Sequence, residues 1–97
     1  MTFGICSPVQ RLTVWITNDA FITEAIAKKG QRSRIPNMEL VDGEDCDPQY
    51  PWHVKPATAQ FADFTTEVCD ACPNMVDIRN KYYCPWSASV IDVVDRR

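Results

Sequence analysis

Glycine is scarce, with three in 97 residues, and His53 is the only histidine. A phosphate-cradling loop needs several glycines to bring backbone N–H groups onto the ligand, so that class is excluded. Imidazole catalysis would have to use His53, which follows a proline and lies between Trp52 and Val54. Ser7, Ser33, Ser87 and Ser89 stand in no nucleophile-elbow context. Long apolar runs are missing too, and the best of them is broken as Val90-Ile91-Asp92-Val93-Val94, too short for a bilayer span. The first twenty residues lack a basic start followed by an apolar stretch, which argues against a secretory leader and sets a cytoplasmic expectation. No repeat or linker divides the chain, and 97 residues make a single domain, 1–97. Such a domain should bury roughly 60 to 65% of its unfolded surface, a thin core in which an extra staple matters.

Apolar residues reach 45%, charged residues 24% and aromatics 10%, a globular composition. Net charge is −3, with no overall attraction for nucleic acid or an anionic membrane. The charges are unevenly placed. Lys28, Lys29, Arg32 and Arg34 put four of ten bases into seven residues, and Glu39, Asp42, Glu44, Asp45 and Asp47 put five acids into nine. Two solvated loops would explain this, and so would an electrostatically steered contact with a protein. Asp42 to Asp47 superficially matches a calcium loop, but the glycine offset is wrong and no glutamate closes a twelve-residue frame.

Leu12, Val14 and Ile16 alternate with Arg11, Thr13, Trp15 and Thr17, which predicts a strand over 9–17 with Trp15 facing away from the core. The period then changes. Asn18 or Asp19 can cap a helix over 19–29 carrying Phe21, Ile22, Ala25 and Ile26 on one face, with Glu24 and Lys28 paired on the other and Gly30 as the stop. Short strands are predicted at 38–41, 52–55 and 89–94, and 57–68 fits either a helical turn or a strand. Met75 to Arg79 and Tyr82 to Tyr83 read as a hairpin around Asn80-Lys81. The fold class is therefore α+β, a mostly antiparallel sheet with one main helix.

Five cysteines occur: Cys6, Cys46, Cys69, Cys72 and Cys84. An odd count without a leader weighs against a secreted disulfide framework. Cys69 and Cys72 form a C-x2-C pair followed by Pro73, and a hairpin would return Cys84 beside them. This stretch resembles zinc knuckles over about sixteen residues, 69–84, although Ser87 stands where a second C-x2-C would be completed. The resemblance implies a zinc-knuckle-like C-terminal hairpin holding Zn2+ on Cys69, Cys72 and Cys84. Cys46 ranks first as fourth ligand, ahead of His53 and Cys6, because a thiolate from a separate loop would staple that loop to the hairpin, and Cys6 is then a bystander. An iron–sulfur cluster on the same thiolates, a thiol redox pair at Cys69 and Cys72, and unpaired buried thiols are the alternatives.

The sequence thus supports a non-enzymatic interaction or assembly module held by a cysteine-bound metal, with Lys28, Lys29, Arg32, Arg34 and Trp15 facing another protein or a second copy. A small viral or phage structural or host-modulating protein is the expected kind. An iron–sulfur or thiol redox protein is one rival reading, and a weak nucleic-acid-binding zinc protein is another. Tyr83 and Trp86 are expected to pack around the cysteines. Neither nucleic acid nor a membrane is an expected partner.

Overall fold

Thr2–Ile5 (β1) opens the computed structural model, which describes residues 1–96. Phe3, Gly4 and Ile5 are all buried, so this strand shows no inside-outside alternation in its sequence. Cys6 turns the chain at φ +70° and Gln10–Thr13 (β2) returns antiparallel, pairing Phe3 with Leu12. The predicted alternation continues beyond the ladder. Leu12 and Val14 are buried while Arg11 and Trp15 are exposed.

The helix, Asp19–Ala27 (α1), begins where its cap predicts: Asn18 Oδ1 accepts the N–H groups of Ala20 at 3.0 Å and Phe21 at 3.3 Å. Such a cap stabilises a helix by about 1 kcal/mol. Phe21, Ile22 and Ala25 face inward, and Gly30 at φ +80° ends the turn after the helix. Glu24 does not pair with Lys28. Its carboxylate takes the guanidinium of Arg34 instead, a two-pronged bond that a lysine cannot make.

Ile35–Asp42 (β3) is the spine of a second sheet and buries Pro36, Met38 and Leu40 in alternation. Trp52–Val54 (β4), Gln60–Ala62 (β5) and Tyr82–Tyr83 (β6) each pair antiparallel with a different part of it. Ser89–Asp92 (β7) returns to the first sheet and pairs with β1, giving the order β2-β1-β7. The α+β class holds, with antiparallel pairing divided over two sheets. Phe3, Leu12 and Val90 from one sheet share a core with Met38, Leu40 and Trp52 from the other. Phe21 joins it by stacking on Phe61 at 4.1 Å and meeting Phe3 edge-on at 6.2 Å. Each such side chain contributes about 1.5 to 3 kcal/mol by leaving water. No helix among the described residues is long and apolar enough to cross a membrane.

The C-terminal hairpin does not form. Residues 67–69, 73–75 and 78–80 are single 3-10 turns. Asp77 caps the last by accepting the Arg79 N–H at 3.0 Å, and Lys81 rather than Asn80 takes positive φ. Tyr82 and Tyr83 pair with Glu39 and Met38 instead of with the preceding segment.

Disulfides join Cys6 to Cys72 and Cys69 to Cys84, with Cα separations of 5.8 and 5.1 Å. This corrects the zinc-knuckle expectation. Cys72 is extended before Pro73, so the C-x2-C segment does not close on itself, and its two sulfurs go to different partners. Four thiols are occupied by covalent bonds. Among the described residues, no group of three His, Cys, Asp or Glu side chains gathers where a metal ion could sit. The zinc and metal-binding assignments fall, and Cys6 is a structural partner, not a bystander. The cytoplasmic expectation falls with them, because paired disulfides belong to an oxidising, extracellular or secreted setting.

Candidate functional site

Beyond the end of β2 the chain stays extended, tied by the Val14 N–H to Met1 O at 2.8 Å and by the Thr17 N–H to Pro56 O at 2.9 Å. These bonds fix the outward direction of Trp15, which is 48% exposed. Trp15 lines a cleft of about 250 Å³ together with Val14, Ile16, Ile22, Val93 and Val94, and Asp95 and Arg96 also line it. The cleft therefore lies among the β2 extension, α1 and the chain after β7. Met1 and Thr17 complete the lining, which is predominantly apolar with two charged side chains.

The basic segment, by contrast, is partly neutralised within the molecule. Lys29 Nζ lies 3.3 Å from Asp92, and Arg34 bridges Glu24 at 2.6 Å and Asp63 at 3.3 Å. The hydrogen bond to Glu24 raises the Arg34 guanidinium further above its ordinary value, so it stays charged throughout. Lys28 and Arg32 have no ion pair among the described residues. Of the four predicted contact bases, two remain uncommitted.

The acidic stretch divides in the same way. Asp47 is 6% exposed and accepts the Thr13 N–H at 2.9 Å and the Gln49 N–H at 3.1 Å, so it closes the free edge of β2. Glu39 faces Lys55 at 4.0 Å and accepts the Thr58 hydroxyl. His53 Nδ1 lies 2.7 Å from the Gly43 carbonyl, an acceptor only, so Nδ1 carries the proton. Cys46 is the free thiol, and partial burial followed by the charge of Asp45 pushes its pKa up. It stands apart from Cys69, Cys72 and Cys84, and the proposed four-cysteine set is not assembled.

Tyr83 is buried as expected and donates to Ala71 O at 2.8 Å, inside the segment carrying the cysteines. Trp86 donates Nε1–H to Thr65 Oγ1 at 2.8 Å. Sequence reasoning did not single out Phe64 as a surface residue, yet it is 83% exposed, and Tyr82 is 52% exposed. Phe64 fits both the helical and the strand period over 57–68, so neither period assigned its face.

The family model of the BP-74 N-terminal domain matches residues 3–97, which include all five cysteines and every residue of the cleft except Met1. No curated protein and no solved structure matches the chain. The chain belongs to the BP-74 N-terminal domain family.

Proposed function

We propose, with that membership as the premise, that this chain is a non-enzymatic interaction module whose anchor site is the Trp15 cleft. One observation carries the reading: a half-exposed tryptophan lines an apolar cleft fixed by backbone bonds. Tryptophans in such positions are enriched among interface anchors. At about 250 Å³ the cleft is smaller than the range of roughly 300 to 1,000 Å³ usual for small-molecule sites, and it suits one large apolar side chain of a partner.

Lys28 and Arg32 lie just beyond the helix whose Ile22 lines that cleft. They favour a partner segment with acids near its apolar anchor, because exposed charges act mainly on encounter. Selection from a displayed random-peptide library tests this directly. Enriched peptides should combine a large apolar residue with neighbouring acids, and Trp15→Ala should weaken them at least tenfold without moving the melting temperature much. Peptides that bind wild type and Trp15→Ala equally would sink the proposal. Sedimentation of both proteins checks self-association, which Trp15→Ala would abolish if a second copy fills the cleft.

A further inference from the structure

The geometry points to a second site, a hollow between Phe64 and Tyr82 that takes a neutral carbohydrate. It measures about 390 Å³ and shares no lining residue with the Trp15 cleft, so it stands independently of the function proposed above. Cys69 also lines it, which ties one wall to Cys84 through a covalent bond.

Three features select the ligand. Among the described side chains, no Asp, Glu, Lys or Arg lines the hollow, so a phosphate, carboxylate or ammonium group would meet no counter-charge from them. Two strongly exposed aromatic side chains offer faces to the C–H surface of a flat, weakly polar ring. Uncommitted amides stand beside them. The Asn37 side chain has no hydrogen-bond partner among the described residues, and Asn80 uses only Nδ2, in a long 3.4 Å bond to Val68 O.

A side-chain amide presents a donor and an acceptor together, which matches two neighbouring hydroxyls of a sugar. A wholly apolar peptide would instead cover these amides and leave them unpaired, a recurrent cost in binding. Thr66 adds a hydroxyl that lies 3.8 Å from the sulfur of Cys69. The hollow is wide and shallow, so binding of a single sugar should be weak, with Kd on the order of 1 mM.

The probes are the methyl glycosides of glucose, galactose, mannose and N-acetylglucosamine, titrated into isotope-labelled, disulfide-intact protein and followed by NMR. At least one should produce saturable shifts at the Asn37 and Asn80 side-chain amides and around Phe64 and Tyr82, leaving signals of the Trp15 cleft in place. Phe64→Ala, at a residue too exposed to support the core, and Tyr82→Leu, which keeps an apolar strand residue without the ring, should each weaken binding at least tenfold. Asn37→Ala should do the same. Absence of saturable shifts with all four glycosides overturns the site, as does binding unchanged in both ring variants. Stronger binding of an uncharged leucine-rich peptide to the same residues would also overturn it, in favour of a protein ligand.

Discussion

From β1 to β5 the chain buries Phe3, Leu12, Phe21, Met38 and Trp52 beneath strand ladders and one capped helix. From Asp63 to Pro85 it makes three single 3-10 turns and one two-residue strand, while Phe64, Val68 and Met75 remain in solvent. Both disulfides end in this second stretch, one within it and one reaching back to Cys6. The contrast separates two ways of offsetting chain entropy, which costs about 1 to 2 kcal/mol per ordered residue. Apolar burial does so where side chains point inward at period two or 3.6. Where they do not, cross-links remove freedom from the unfolded chain instead.

The largest test of this difference is to cut the link between the two regions. The Cys6–Cys72 bond spans 66 residues, for which chain-entropy reasoning gives about 4 kcal/mol. Cys69–Cys84 spans 15 and corresponds to about 3 kcal/mol. Against a stability of roughly 5 to 15 kcal/mol for a domain of this size, the double variant Cys6→Ser with Cys72→Ser should lose a large share, read as a fall of roughly 20 °C in melting temperature. Cys69→Ser with Cys84→Ser should speed hydrogen exchange chiefly over residues 63–88. A loss below about 1 kcal/mol for the long link would show that the two regions hold together without it.

The same contrast explains what could be read from the sequence. Leu12, Val14 and Trp15 declared their faces because one side of their strand is buried, and Asn18 declared the helix start because its side chain bonds locally. β1 gave no signal: Phe3, Gly4 and Ile5 are buried together, and four residues are too few to distinguish a fully buried strand. Disulfide connectivity is set by where the tertiary fold brings sulfurs, and the spacing of Cys69 and Cys72 fits a metal knuckle equally well. The exposed Trp15 followed from strand alternation. The cleft beside it did not, because Val93 and Val94 reach it from the far end of the chain.

Tyr83 offers a finer test, since it sits on β6 and donates to Ala71 in the stapled segment. Tyr83→Phe should cost about 1 kcal/mol at neutral pH by leaving the Ala71 carbonyl without this donor. Burial, then the charge of Asp70, raises the Tyr83 pKa well above its ordinary 10.0. The neutral phenol is therefore the folded form, and its stability contribution is intact below 10. As pH climbs above that value, the unfolded tyrosine ionises while the folded one does not, and stability falls by about 1.4 kcal/mol per pH unit until the folded pKa is reached. Phenylalanine lacks this dependence. Urea melts of the two proteins should converge and then cross as pH rises above 10, and parallel curves would mean that Tyr83 ionises freely in the folded state.

The smallest effect is expected at Arg34, a side chain that ties α1 to the start of the stapled stretch through Glu24 and Asp63. Its contacts look extensive, with the guanidinium reaching both carboxylates. Arg34 and Asp63 are nevertheless exposed and Glu24 partly so, and there water solvates the separated ions almost as well and salt screens what attraction remains. Arg34→Gln should leave the melting temperature within experimental scatter at physiological salt, and hydrogen exchange over 63–66 should scarcely change. Lowering the ionic strength sharpens the comparison by strengthening the pair only in the wild type. A clear destabilisation at physiological salt, reduced as salt is raised, would mean that the two regions are coupled by charge as well as by the Cys6–Cys72 bond. Insensitivity to Arg34 beside sensitivity to Cys6 would assign the coupling to the covalent link.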